Sequence, residues 1–253
     1  MIIALLMGRK GSKGFPGKNL HLVLGKPLAY YPMKIANDCP EIDKIYLSTD
    51  DERLMALAKE NNMEVIKRPP DLCTEEALGE HVYVHAYNTI NKKEREHEIE
   101  LVVLLMCNAA TITTETISEG INILRNNPNY DSAVTVSKYN MWSPLRARRI
   151  DKMGLLKPFV PFEIFGDPKT LNCDRDSQGD VWFADMGVSI VRPHCLEKLD
   201  EGLLPQKWMG KNIYPLKQWG GLDVDFEWQI PQVEFWLKKH GCTEDKTTED
   251  ADG

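Results

Sequence analysis

The stretch Met1–Asn19, MIIALLMGRKGSKGFPGKN, decides how the rest of the chain is read. Ile2 to Leu6 is a short, uninterrupted apolar run, the pattern of a strand buried on both faces. It breaks at Met7-Gly8, after which glycines recur at every third position: Gly8, Gly11, Gly14 and Gly17. Arg9, Lys10, Lys13 and Lys18 stand among them, and no acid occurs before Asp38. Glycines let a backbone bend through positive φ and bring its N–H groups close to a ligand. Cations crowded into such a loop repel one another unless an anion lies at their centre. A polyphosphate fits that composition.

Two common phosphate loops do not match. In a Walker A pattern Ser12 would stand at the first glycine and Asn19 at the metal-binding hydroxyl. The dinucleotide fingerprint fails because Arg9 and Lys10 separate Gly8 from Gly11. The loop instead resembles the signature of the CMP-sialic acid synthetases (acylneuraminate cytidylyltransferases), roughly A-R-G-G-S-K-G-x-P-x-K-N. From Gly8 to Asn19 this chain reads G-R-K-G-S-K-G-F-P-G-K-N. It departs at Gly8 and Lys10 and keeps Arg9, Ser12, Lys13, Gly14, Pro16, Lys18 and Asn19. The resemblance implies that Arg9, Lys13 and Lys18 act on the triphosphate while Gly11, Ser12, Gly14 and Asn19 hold the nucleotide. Ser12 has no His/Asp pattern around it and reads as a loop hydroxyl near phosphate, not as an acylated nucleophile. The plain alternative is a lysine-rich surface loop, which leaves the buried strand before it unexplained.

The chain has 253 residues and a net charge of −7, from 31 basic and 38 acidic residues. That balance argues against nucleic acid or an anionic membrane as the main partner. The six cysteines contain no C-x-x-C pair and read as reduced thiols of a cytoplasmic protein. No apolar run approaches the roughly 20 residues of a membrane span, and no signal peptide is expected before the first strand.

Beyond the loop, strands and helices alternate. A helix is expected from Pro27 through Asn37, and a strand over Lys44–Asp50. Asp50 or Asp51 is placed to cap the helix DERLMALAKENN, whose Leu54, Leu57 and Ala58 recur at helical spacing. Glu64–Ile66 reads as a strand, Thr74 to Lys92 as a helix and Ile99–Leu105 as a buried strand. A helix from Thr114 to Asn126 and a strand over Ser132–Val136 complete the run. This rhythm predicts an α/β fold: a Rossmann-like, mostly parallel sheet flanked by helices, with ligands at the carboxyl ends of its strands. Residues 139–185 break the pattern with prolines, aromatics and Arg146, Arg148 and Arg149. They read as an irregular extension, which the resemblance implies reaches across to a second subunit to form a homodimer. Met186–Val191 returns to a core strand. The expected organisation is one nucleotidyltransferase domain over 1–240 and an acidic, disordered tail over 241–253.

Three further segments accompany the loop. In Leu222-Asp223-Val224-Asp225-Phe226, a strand conformation would project both acids to one side. Two carboxylates at a strand end are a hard-oxygen site suited to Mg²⁺. Solvated loop acids are the alternative, and D-x-D also occurs in glycosyltransferases that bind nucleotide sugars. The family's D-x-D likewise precedes its last helix, which favours metal ligands. Second, Arg68 of Arg68-Pro69-Pro70-Asp71-Leu72 matches the family's R-P-x-x-L, whose arginine helps to hold the nucleotide; an exposed turn arginine is the other reading. Third, the strand ending Leu104-Leu105-Met106-Cys107-Asn108 corresponds to the family's L-L-Q-P-T. Met106 replaces a glutamine that contacts substrate there, and Asn108 is assigned to the nucleotide site. Arg146 and Arg175 align with basic residues in some members and are candidates for the sugar carboxylate, which a guanidinium binds bidentately. A surface or dimer-interface role is the competing reading for both. His81 and His85 have the i, i+4 spacing of helix metal ligands but no third ligand, and read as a helix-surface pair.

The resemblance implies a magnesium-dependent cytidylyltransferase that moves CMP from CTP to the anomeric hydroxyl of a sialic-acid-like keto-sugar acid, releasing pyrophosphate. A guanylyl- or other nucleotidyltransferase and a non-catalytic nucleotide-sugar binding protein remain as alternatives.

Overall fold

In the computed structural model, residues 1–74, 76–174 and 178–244 are described. Strand β1 (Ile2–Met7) is followed by a ribbon of β2 (Leu22–Val23) and β3 (Lys26–Pro27) and by α1 (Tyr30–Asp38). Then come β4 (Lys44–Thr49), α2 (Glu52–Glu60), β5 (Glu64–Lys67), α3 (Gly79–Lys93), β6 (Leu101–Met106), α4 (Thr114–Asn126) and β7 (Ser132–Lys138). A second ribbon, β8 (Arg148–Ile150) and β9 (Leu156–Pro158), precedes β10 (Trp182–Val191), α5 (His194–Glu197), β11 (Ile213–Gln218) and α6 (Ile230–Lys239).

Seven strands form one sheet in the order β11-β7-β10-β6-β1-β4-β5. All neighbours run parallel except β10, which is antiparallel to both β6 and β7. The apolar run of β1 lies beside the central strand β6, with Leu5 level with Tyr46 on one side and Leu104 on the other. Its side chains alternate between two cores. Ile2, Ala4 and Leu6 pack with Met33 of α1, Leu54 of α2 and Ile117 of α4, while Ile3 and Leu5 pack with Tyr83, Ala86 and Ile90 of α3. Burial on both faces is therefore real, and it fixes where β1 must release the loop that follows.

The expected elements differ from the observed ones mainly at their ends. Helix α1 begins at Tyr30 because Lys26-Pro27 pairs with Leu22-Val23, and α3 begins at Gly79 after a short turn at Pro70–Leu72. Asp51, and not Asp50, caps α2, accepting from the Arg53 N–H at 2.9 Å. Strand β10 starts four residues before Met186, with a register shift between Ala184 and Ser189 and Met186 at φ 63°. The irregular extension thus ends at 181, and its described residues form the β8–β9 ribbon and short helical turns. It exposes Trp142, Ile150, Met153, Leu156, Phe159 and Ile164. All six cysteines are free, with Cys39, Cys107 and Cys195 buried. Among the described residues, no helix is long and apolar enough to cross a membrane. Of the expected tail, residues 245–253 lie outside the described residues.

A third apolar cluster joins the two ends of the chain. Val23, Leu28 and Tyr31 pack with Val224, Ile230, Val233 and Trp236. Val224 is fully buried there, and burying a valine contributes about 1.5–3 kcal/mol. This cluster helps to bring the D-x-D stretch against the opening loop, from the far end of the chain.

Candidate active site

A cleft of about 420 Å³ opens at the carboxyl ends of β1 and β6. Arg9, Gly11, Ser12, Lys13, Gly14, Lys18 and Asn19 of the loop line it, together with Arg68, Asn108, Asp223 and Asp225. Helix packing, strand ends and a coil from the far end of the chain converge on this one place.

The loop is held by its own backbone. The Gly8 N–H donates to the Ser48 carbonyl at 3.2 Å, the Lys10 N–H to Asp50 Oδ1 at 2.9 Å, and the Asn19 amide to the Arg9 carbonyl at 3.2 Å. Gly17 turns through φ 75°, ahead of a helical turn over Lys18–Leu20. Gly14 is needed for a different reason: a Cβ there would lie 2.5 Å from the Asp225 carbonyl oxygen and 3.1 Å from the Phe226 ring. The loop and the D-x-D coil therefore touch at a position that tolerates no side chain. Arg9 donates to the Thr74 carbonyl at 3.3 Å, which ties the loop to the turn before α3.

Arg68, expected at the nucleotide, is buried, and its Nη2 donates to the carbonyls of Ser48 at 3.0 Å and Gly8 at 3.3 Å. Burial pulls its pKa down from the ordinary arginine value, against the opposing charge of Asp50. Its Nε is buried without a partner. One face of the guanidinium thus secures two strand ends while the residue still lines the cleft. An exposed turn arginine is ruled out by that burial.

The acids do not sit on a strand. Residues 222–225 are irregular and lack the ladder that the alternation argument assumed. The two carboxylates nonetheless face the cleft together, because buried Val224 points between them into the core. Side chains replace the missing ladder. Thr111 Oγ1 accepts from the Leu222 N–H at 2.9 Å and lies 3.2 Å from the Leu222 carbonyl, to which it donates. The Asn108 amide donates to the Val224 carbonyl at 2.9 Å and to Asp223 Oδ2 at 3.4 Å. Gln229 Oε1 accepts from the N–H groups of Asp225 and Phe226 at 2.7 and 2.8 Å. Asn108 is therefore turned to the acid loop, a role that its assignment to the nucleotide did not include.

Burial pushes the Asp223 carboxyl above its ordinary range, the nearby Asp225 charge adds to this, and Lys18 opposes it. Lys18 Nζ lies 2.7 Å from Asp225 Oδ1. Two crowded carboxylates, one of them buried, are a donor set that a divalent cation relieves. Among the described residues, no group of three or more His, Cys, Asp or Glu side chains could hold a metal ion. A cation here would take two protein carboxylates and complete its shell from water and phosphate. That donor set fits Mg²⁺, which keeps several waters and is commonly bound in this way.

Arg146 is not brought to the cleft. It lines a separate hollow in the extension with Leu145, Phe162 and Asn172, and donates to the Cys173 carbonyl. Arg175 lies outside the described residues. His81 and His85 lie on α3 against the segment 196–201. Sequence reasoning did not find the apolar wall of the cleft, made by Met7, Leu72, Ala77, Val82 and Met106. Nor did it find Asp50 as the partner of the loop; a carboxylate at the end of the strand beside β1 was its only signal.

Residues 3–151 match the family model described as "Cytidylyltransferase". The chain is 25% identical over 242 residues to N-acylneuraminate cytidylyltransferase A of Danio rerio, covering 95% of this chain and 51% of that protein. It is 33% identical over 232 residues to the N-acylneuraminate cytidylyltransferase of Oncorhynchus mykiss, covering 91% and 49% respectively. The chain thus spans about half the length of these relatives. In fold it is similar to CMP:2-keto-3-deoxy-manno-octonic acid synthetase solved with CTP, at a TM-score of 0.66 and 14% identity, covering 94% of this chain and 99% of that one.

Proposed function

The chain belongs to the cytidylyltransferase family, and on that premise we propose that it transfers CMP from CTP to a sialic-acid-like keto-sugar acid, releasing pyrophosphate. The observation that carries this reading is the single cleft shared by Arg9, Lys13 and Lys18 with Asp223 and Asp225. Cations and paired acids in one cleft are what a triphosphate and its metal need. The sugar's anomeric hydroxyl attacks the α-phosphate, and the bond to pyrophosphate breaks. Phosphoryl-type transfer asks mainly for positioning and charge neutralisation. Arg9, Lys13, Lys18 and the loop N–H groups hold the triphosphate and take up the charge that develops on pyrophosphate. Asp223 and Asp225 would hold Mg²⁺, which would supply Lewis-acid charge to the phosphate and the attacking hydroxyl.

The acceptor class draws support from both kinds of relative, since their names cover N-acylneuraminate and an eight-carbon keto-acid. Met106 on the apolar wall favours an acceptor with little polarity at that point. The exposed apolar residues of 139–181 support a second copy of the chain as partner. The free thiols support a reducing, cytoplasmic setting.

Pyrophosphate release tests the reading directly, run with each of the four ribonucleoside triphosphates against a panel of keto-sugar acids. Release is expected with CTP and one class of acid only. Preference for another triphosphate, or no release with any acid, would overturn it.

A further inference from the structure

The pair formed by Lys18 and Asp225 is unequal. The lysine side chain is 13% exposed and the carboxylate 59% exposed, with 2.7 Å between Nζ and Oδ1. The lysine is drawn in, while the acid stays open to the cleft. Asp225 is also the partner whose backbone is held in place. Its backbone N–H and that of Phe226 are both fixed by Gln229 Oε1, and its carbonyl rests against Gly14. Lys18 carries its charge on a flexible four-carbon stem and can swing.

We propose that Lys18 is the built-in counter-cation of the acid pair, competing with the divalent metal for Asp225 until a triphosphate draws the lysine away. This deepens the function proposed above and rests on its magnesium and CTP assignments. Without a ligand, Asp223 and Asp225 would stand close with like charge, and Lys18 relieves that repulsion. Its ammonium sits on an oxygen that a metal would use. A triphosphate offers Lys18 several negative oxygens in place of one carboxylate. The lysine then neutralises phosphate, and Asp225 becomes free at the moment when the phosphates can complete a metal shell. Metal binding is thereby coupled to nucleotide binding, and by linkage the coupling is reciprocal. A metal held idly on the empty enzyme is avoided.

The test uses Mn²⁺ as the spin probe, with free metal read by electron paramagnetic resonance in the absence of nucleotide. Lys18→Met removes the charge at similar length, and Lys18→Gln provides a second variant should the first misfold. Either folded variant is expected to bind Mn²⁺ about tenfold more tightly than the wild-type protein, within the range typical of such coupling. Adding Asp225→Asn to the Lys18→Met chain is expected to abolish the gain. Equal or weaker affinity in the lysine variants, with binding that still depends on Asp225, overturns the competition while leaving the metal assignment intact. Mn²⁺ binding that ignores Asp225→Asn overturns both, and no binding by any form overturns the competition.

The nucleotide arm is read separately, by calorimetric titration of CTP in EDTA. Asp225→Asn releases Lys18 and is expected to raise CTP affinity more than Asp223→Asn, which removes the same charge without freeing the lysine. Equal gains overturn the release step. Absence of CTP binding by every form overturns the CTP assignment on which it stands.

Discussion

Asn108 and Val224 exchange two hydrogen bonds: the Val224 N–H donates to the Asn108 carbonyl at 2.9 Å, and the Asn108 amide donates to the Val224 carbonyl at 2.9 Å. A single side chain thereby extends the end of β6 by one rung and sets the two acids on either side of that rung. The residues lie 116 positions apart, so nothing in the local pattern of either segment announces the contact.

Asn108→Ala is expected to loosen the acid loop without dismantling the fold. Leaving a buried carbonyl unpaired costs about 1–3 kcal/mol, a loss that a fall in melting temperature would register. The larger effect should appear as a weaker apparent affinity for Mg²⁺ in the rate, with CTP affinity less affected. A variant whose Mg²⁺ dependence matches wild type would show that the rung does not position the acids.

Gly14 and Gly11 provide a matched pair. A Cβ at Gly14 meets the Asp225 carbonyl at 2.5 Å, whereas at Gly11 nothing lies within 4 Å. A backbone carbonyl pinned by its neighbours cannot yield as a side chain can. Gly14→Ala is therefore expected to push the loop off the acids and lower kcat/KM at least tenfold, about 1.4 kcal/mol of transition-state stabilisation. Gly11→Ala, which meets no protein atom, should leave the acids in place and cost less. Equal kinetics for the two variants would remove the close approach from the account of the site.

Away from the cleft, Asp131 sets a pH dependence. It accepts from the backbone N–H groups of Lys211 and Asn212 at 2.8 and 2.9 Å and pairs with His194 at 3.0 Å. Burial pushes its carboxyl up, but the Asn212 and Lys211 N–H groups and His194 outweigh burial and leave the pKa below the usual range. A carboxyl depressed in the folded state contributes stability above its unfolded pKa of about 3.9 and loses that contribution as pH falls through the folded value. The stability gap between wild type and Asp131→Asn, from urea unfolding, should be full at pH 7 and shrink below about pH 4. A gap that is constant down to pH 3 would show that the charge contributes nothing.

The extension is expected to mediate assembly. Ile150, Leu156 and Phe159 are 72%, 70% and 64% exposed, far more apolar surface than a lone ribbon offers to water without a partner. Light scattering should report twice the 28.9 kDa chain mass, and Phe159→Glu should shift it toward the monomer. A monomer at micromolar concentration for the unaltered chain would end the dimer proposal.

The parts of this fold that were legible in sequence share a local signature. The run Ile2–Leu6 is apolar at every position because β1 is covered on both faces, and the glycine–cation spacing after it is written in consecutive residues. The D-x-D is legible as a pair of acids, but the strand that was to aim them is absent; the buried valine between them, nearby Gln229 and the distant Asn108 and Thr111 perform that task. Arg146 aligns by its neighbours in sequence, yet the turn before β8 that carries it lines a hollow apart from the cleft. Arg68 shows the intermediate case. Its place beside the cleft follows from the end of β5, while its ties to the Gly8 and Ser48 carbonyls depend on which strands lie next to one another.

Lys13 gives the most direct check of the loop with which the chain opens. Its side chain is exposed and lines the cleft, so its removal should cost the fold little; surface substitutions usually stay within about 0.5 kcal/mol. Its contribution to the reaction is of another kind. As the α-phosphate bond to pyrophosphate breaks, negative charge accumulates on the leaving group, and a fixed cation is worth most at that moment. Losing one such stabiliser typically costs about 10²–10³ in rate. Lys13→Ala should thus lower kcat as well as kcat/KM for CTP, because the charge that it meets is larger in the transition state than in bound CTP. A rise in KM with kcat unchanged would assign Lys13 to ground-state binding alone. Sugar-acid affinity, measured without nucleotide, should hardly move. Rates within threefold of wild type, with melting temperature unchanged, would return the lysine to the role of a solvated loop residue.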